Sequence, residues 1–218
     1  MNNSFWAPVF LSLQTATIAL IIVVILGIVF ARWMTAKQFK GKTIIETLLL
    51  LPLVLPPTVV GFLLIILFGR NSIIGSIIET ILGYPIMFTW SAAVIAASVV
   101  AFPMMYQSAK TGFLSVDKGA EEAARVDGAS EWRVFLYITL PLSLKALIAG
   151  VILSFARALG EFGATLMFAG NLPGKTQTIP TAIYVAFESG NMEAAWAWVI
   201  VIVIISFLML LATRFLQS

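Results

Sequence analysis

An all-α, polytopic transmembrane helical bundle of about five to six spans, with its N-terminus outside, is the fold that this sequence predicts. Three observations predict it. Mean hydropathy is +1.04 over 218 residues, of which 61% are hydrophobic and only 11% charged. Several apolar runs reach about 20 residues, the length that crosses the hydrocarbon of a bilayer. The basic side chains collect between those runs rather than along a stripe, so the net charge of +3 reads as topology signalling and not as a nucleic-acid surface. At 23.7 kDa, residues 1–218 are expected to form a single membrane domain with no added soluble catalytic domain. His and Cys are both absent. Disulfides, thiolate chemistry and the common zinc sites are thereby excluded, and no cofactor or metal is expected.

The first apolar run extends from about Val9 to Ala31 behind an uncharged segment, Met1 to Pro8. A signal peptide would have a basic start, a shorter apolar run and a small-residue cleavage site, so a retained helix is expected. It leads into Arg32, Lys37, Lys40 and Lys42, a basic loop that the positive-inside rule places in the cytoplasm. A second run, roughly Ile44 to Phe68, carries Pro52, Pro56 and Pro57, which must free backbone groups and bend the helix. Packing against neighbours and lining a pathway both accommodate such a break. Gly69 to Pro85 reads as an external loop with a short re-entrant or surface helix around Ile73 to Leu82. A third span, about Met87 to Ser108, returns inward and holds Pro103. The fourth runs from near Leu142 to about Phe168 with Arg157 and Glu161 inside it. Asn171 to Glu193 is external, and a fifth span, about Ala194 to Phe215, ends inside. This threading puts Arg32, Lys37, Lys40, Lys42, Lys110, Lys118, Arg125, Arg133 and Arg214 on the cytoplasmic side, against Arg70 and Lys175 outside. Trp6, Trp33, Trp90, Trp196 and Trp198 fall near span ends, as an aromatic belt would.

One polar island interrupts the grease, from Glu121 to Arg133, inside a cytoplasmic loop of about 115–135. Asp117 is placed to cap a helix with Glu121 and Glu122 in its first turns, where the helix dipole favours acids. Gly128 can take positive φ and close that helix. Ser130 is placed to cap a second helix that runs to Leu140 and is interrupted at Pro141. Composition alone leaves two readings of these two short helices at a glycine elbow: a capped, solvated loop, or a handle held out to another protein at Ala123 and Ala124.

The spacing then carries a resemblance. Glu122-Ala123-Ala124, three residues, Gly128, nine residues, and Ile138-Thr139-Leu140-Pro141 resembles the EAA signature of permease subunits from prokaryotic ABC importers. Leu50 to Gly61 with its Leu55-Pro56-Pro57, the stretch Phe155 to Ala164, and Gly170 to Thr178 are similar to the molybdate branch of that family, whose relatives carry sulfate and tungstate. The resemblance covers about Ser12 to Trp198. It implies the type I ABC importer permease fold, a multi-pass protein of the prokaryotic inner membrane in contact with lipid, and a homodimer with the pathway at its interface. It also implies two copies of a separate cytoplasmic ATPase, docked on the loop of Glu121, Glu122, Ala123, Ala124, Gly128, Leu140 and Pro141, and an extracytoplasmic binding protein that delivers the anion. On this reading the chain itself is a transport subunit and not an enzyme.

Arg157 and Glu161 stand four apart on an intramembrane helix and can pair; either charge left alone there costs on the order of a few kcal/mol. They fix helix packing, or Arg157 and the backbone around Gly160 and Gly163 line the anion path or its gate. Pro56 and Pro57 are the matching candidates in the second run. Gly170 to Thr176 looks like a phosphate-binding loop, but only three residues separate its glycines where four are required. It is read as an external turn. The contrasting reading of the whole chain is an ion-coupled secondary transporter with Arg157 and Glu161 as a relay, which internal inverted repeats would favour; the hydropathy shows none.

Overall fold

The structure, a computed structural model, describes residues 3–217, with side chains over 5–211. Met1, Asn2 and the Arg214 side chain lie outside the described residues. Among those described, every regular element is helical. In order they are α1 (Asn3–Ala36), α2 (Lys42–Val54), α3 (Pro57–Phe68), α4 (Ile73–Leu82), α5 (Trp90–Leu114), α6 (Lys118–Val126) and α7 (Glu131–Val134). A π-helical turn (Phe135–Thr139) follows, then α8 (Leu140–Leu142), α9 (Leu144–Leu159), α10 (Gly163–Phe168), α11 (Ile179–Glu188) and α12 (Met192–Gln217). By length and composition α1, α5 and α12 can each cross a membrane. Counting the bent pairs Lys42–Val54 with Pro57–Phe68, and Glu131–Leu142 with Leu144–Leu159, as one crossing apiece gives five.

The bundle is assembled around α5, which packs along α1 and α9. Its inward positions are small: Ala92, Ala93, Ala96, Ala97, Ala101 and Ala109 are almost wholly buried. In lipid there is little hydrophobic drive between helices, and small side chains let two backbones approach until van der Waals contact holds them. Tyr106 and Met105, both fully buried, fill what the alanines leave. The one acid on α2, Glu46, pairs with Lys110 and accepts a hydrogen bond from Tyr106 Oη at 3.3 Å, so neither charge at this end of α5 is left unpaired. By contrast α12 leaves Trp196, Ile200, Val203, Ile204, Phe207 and Leu208 exposed, a surface suited to lipid.

Several expectations are corrected in detail. The second apolar run bends at its prolines as expected, and the bend is a full break: α2 and α3 meet at 119° after Leu55, because Pro56 and Pro57 cannot donate to the helix ladder and Pro57 instead starts α3. The fourth run breaks twice, by 71° at Ser143 and again over Gly160 to Phe162, so that Glu161 sits beyond the helix that carries Arg157. Pro141 does not stop its helix. The backbone widens into the π turn just before it, an adjustment that absorbs the missing N–H, and helix continues to Leu142. Span three runs on to Leu114, and the region 171–193 contains α11, whose Ile179, Thr181, Ala182 and Ala186 are buried. Of the tryptophans assigned to an interfacial belt, two spend their N–H inside the protein: Trp90 donates to Thr15 Oγ1 at 3.0 Å and Trp198 to the Phe5 carbonyl at 3.0 Å. The surface helix expected at Ile73 to Leu82 is α4, capped by Ser72, whose side chain accepts from Gly75 N.

Candidate functional site

Two places hold the residues singled out above. The first is the elbow of α6 and α7. Asp117 Oδ1 accepts from Gly119 N at 3.1 Å and starts α6; Gly128, at φ +85°, ends it, with its own N–H on the Arg125 carbonyl and that of Ala129 on the Ala124 carbonyl. Ser130 starts α7 without a side-chain cap; it contributes its carbonyl, which accepts from Val134 N at 2.9 Å. Arg125 holds the angle between the two helices. Its Nε donates to Glu131 Oε1 at 2.6 Å and its terminal nitrogen to Glu121 Oε2 at 3.4 Å. The hydrogen bond to Glu131 raises the Arg125 guanidinium above its ordinary value. Glu131 also lies 3.6 Å from Arg32 of α1, whose guanidinium stands 5.0 Å over the Phe135 ring.

The two acids at the start of the signature part company here. Glu121 is three-quarters or more covered and turns inward, accepting from Thr139 Oγ1 at 2.6 Å. Glu122 and Ala123 face outward with Val126, which is 87% exposed, while Ala124 is half-buried. Leu140 is half-buried and Pro141 exposed. Sequence reasoning singled out Thr139 only as a letter of a pattern; its bond to Glu121, 18 residues away, is a tertiary contact with no local signal.

The second place joins the two breaks. Glu161, with a side chain 1% exposed, pairs with Arg157 at 2.8 Å through one oxygen and with the other accepts from Ala164 N at 2.8 Å, so it neutralises the last turn of α9 and caps α10. The α10 start is pressed against the α2–α3 bend. A Cβ on Gly163 would lie 3.0 Å from Pro57 Cβ and 3.3 Å from Thr58 N, and one on Gly61 only 2.7 Å from Met167 Cβ and 3.0 Å from Ala164 Cα. The structure thus brings Pro57, Gly61, Gly163 and Glu161 together. Pro56, Pro57 and Gly160 are exposed, Arg157 is half-exposed, and Glu161 and Gly163 are buried. The contact at Gly61 extends beyond its motif; a glycine inside a run of helix-forming apolar residues is the signal that marks it. The external turn is firmer than a solvated loop: the Leu172 carbonyl accepts from the N–H groups of Lys175, Thr176 and Gln177, and Thr176 Oγ1, buried, accepts from Leu172 N at 3.0 Å.

Solved structures share this fold. A bacterial ABC transporter that imports the acidic polysaccharide alginate superimposes with a TM-score of 0.79 at 17% identity, over 100% of this chain and 80% of that one. The MetNI methionine ABC transporter does so with a TM-score of 0.68 at 16% identity, over 100% and 98%. At these identities the likeness is one of fold, the type I ABC importer permease fold. Sequence relatives are nearer. YvgM of Bacillus subtilis strain 168, whose name refers to molybdenum transport, is 62% identical over 208 residues, 95% of this chain and 92% of its own. ModB of Escherichia coli K12, a molybdenum transport system permease protein, is 43% identical over 197 residues, 90% and 86% of the two chains. ModB of Haemophilus influenzae is 43% identical over 192 residues, 87% and 84%. Residues 23–218 match the family described as binding-protein-dependent transport system inner membrane component. With residues 23–218 matched to that family model and nine-tenths of its length aligned to such permeases, the chain is a multi-pass membrane protein that belongs to that family.

Proposed function

We propose that this chain is the membrane permease subunit of an ABC importer for molybdate, working in the inner membrane with its N-terminus outside. The names of the relatives at 62% and 43% identity support the anion, and the elbow supports the mechanism. The observation that carries it is the outward face of α6: Glu122 and Ala123 beside a bare Val126, on a helix whose ends are locked by Asp117 and Gly128. A solvated linker gains nothing from such rigidity, whereas a rigid knob with a carboxylate and small side chains fits a groove on another protein and offers it a charge-assisted bond. Residues 1–218 act as one domain, and the loop 115–135 takes the push of a separate cytoplasmic ATPase. Two copies of the chain enclose the path at their interface, two ATPases bind the two elbows, and an extracytoplasmic binding protein presents the anion.

Closure of the ATPases on ATP draws the elbows together and swings the path outward; hydrolysis lets it return. The break region is the natural wall of that path. Pro56, Pro57 and Gly160 are exposed, and Arg157 keeps an open side toward an anion. Glu161 and Gly163, being buried, hold the wall from behind. Uptake of labelled molybdate by proteoliposomes holding the chain and its ATPase, with and without ATP, tests the reading. ATP-dependent uptake, displaced by unlabelled molybdate more strongly than by sulfate, is the expected result; uptake on an ion gradient without the ATPase overturns it. Tungstate in the same competition separates the nearest rival anion.

A further inference from the structure

The signature that marks this family has two halves, one on α6 and one around Leu140 and Pro141, and the structure joins them through a single side-chain bond. Thr139 is the last residue of the π turn and is 1% exposed. In an α-helix a threonine hydroxyl often back-bonds to the carbonyl four residues earlier, which for Thr139 is that of Phe135. In this turn, one residue wider, the Phe135 carbonyl accepts from Leu140 N. The Thr139 hydroxyl instead leaves its own helix and donates to Glu121 Oε1 at 2.6 Å, a short, partly buried, charge-assisted bond.

The same turn is fastened at its other end. Phe135, 5% exposed, meets the Phe113 ring at the end of α5 edge-on at 5.5 Å and lies under the Arg32 guanidinium at the end of α1. One turn of π-helix therefore touches α6 through Thr139, α5 through Phe113 and α1 through Arg32. No other described contact between α6 and the helices of the bundle passes through a buried side chain with its own hydrogen bond. Single π turns are local departures from the α-helix that recur at functional positions, since they hold an altered register at some cost.

We propose that Thr139 and Glu121 are positioning residues that carry the displacement of α6 into the membrane bundle through the π turn. Glu122 faces the partner; Glu121 faces home. The inference rests on the reading of the chain as an ATP-driven permease and adds the residue pair through which the drive enters.

The test uses the complex of the whole chain with its ATPase in proteoliposomes, reading labelled molybdate transported per ATP hydrolysed, with the ATPase retained on purification as the control for assembly. Thr139→Val keeps shape and removes the donor. It is expected to lower the transported-to-hydrolysed ratio about threefold or more, within the range by which single contacts in a coupling network act. Thr139→Ser restores the donor and is expected to restore the ratio. An unchanged ratio in Thr139→Val, or no rescue by serine, overturns the proposal. Should Thr139→Val not accumulate, the acceptor side is read in its place: Glu121→Gln keeps an oxygen for Thr139 and holds the ratio, while Glu121→Ala loses it. Equal behaviour of those two overturns the proposal as well. Wild-type complex that transports nothing on ATP removes the functional reading itself and this inference with it; wild-type transport with an indifferent Thr139→Val removes this inference alone.

Discussion

Two arginine–glutamate pairs in this molecule have nearly the same geometry and opposite consequences. Arg125 and Glu131 meet at 2.6 Å on the elbow, with side chains 36% and 64% exposed; Arg157 and Glu161 meet at 2.8 Å at the second break, with Glu161 at 1%. Water competes for the first pair and screens it, so it sets an angle without storing much energy. In the second pair only the Arg157 end, at 29%, meets a competitor; the Glu161 carboxylate is sealed and also holds the N–H of Ala164. Distance alone does not rank ion pairs; burial and the remaining hydrogen bonds do.

Removing one partner from the buried pair is the strongest test of that contrast. Glu161→Ala strands Arg157 and frees the α10 cap, with an expected loss of about 3 kcal/mol, the low end for a buried pair because Arg157 is partly open, seen as a fall in Tm in detergent or failure to recover monodisperse protein. Adding Arg157→Leu to Glu161→Ala should return much of that loss, because no lone charge is left behind; no recovery would show that the cap and not the charge is what matters. Packing at the same break comes next. Gly163→Val drives a side chain into Pro57 and Thr58, costing about 1–3 kcal/mol by the same thermal measurement.

On the elbow the effects shrink. Gly128→Ala places a β-carbon at φ +85°, a strain of roughly 1–2 kcal/mol, confined to the α6–α7 corner and visible as faster proteolysis there with little change in global Tm. Glu131→Gln is expected to leave Tm unaltered, with any difference in elbow proteolysis confined to low ionic strength. A Tm loss in Glu131→Gln as large as that in Glu161→Ala would break the comparison.

Local signals made the elbow legible. Asp117, the acids of the first turn, Gly128 and Pro141 act on residues a few positions away, so their spacing is enough to place a cap, a positive φ and a disturbance in the helix. The coarse order of apolar runs is equally local, since twenty greasy residues have only the bilayer interior as a stable solvent. The size and place of the breaks in those runs are less local. Pro56 and Pro57 announce a bend but not its size, and nothing near Gly160 says that the helix ends before Glu161 rather than after it. Ser130 looks like a cap, yet its hydroxyl is unused for that purpose, because the backbone carbonyl alone starts α7.

The amino-acid sequence by itself therefore determined that this is a membrane bundle, where its polar elbow lies and which family it joins, because hydropathy, capping and motif spacing are carried by neighbours along the chain. Only the tertiary structure decided that Glu121 turns inward while Glu122 turns out, that Thr139 meets it from the end of a π turn, and that Gly61 and Gly163 let two broken helices touch. Those outcomes depend on which backbones come within a few ångströms of each other across the bundle, and that is settled by the packing of α5 against its neighbours rather than by any segment alone.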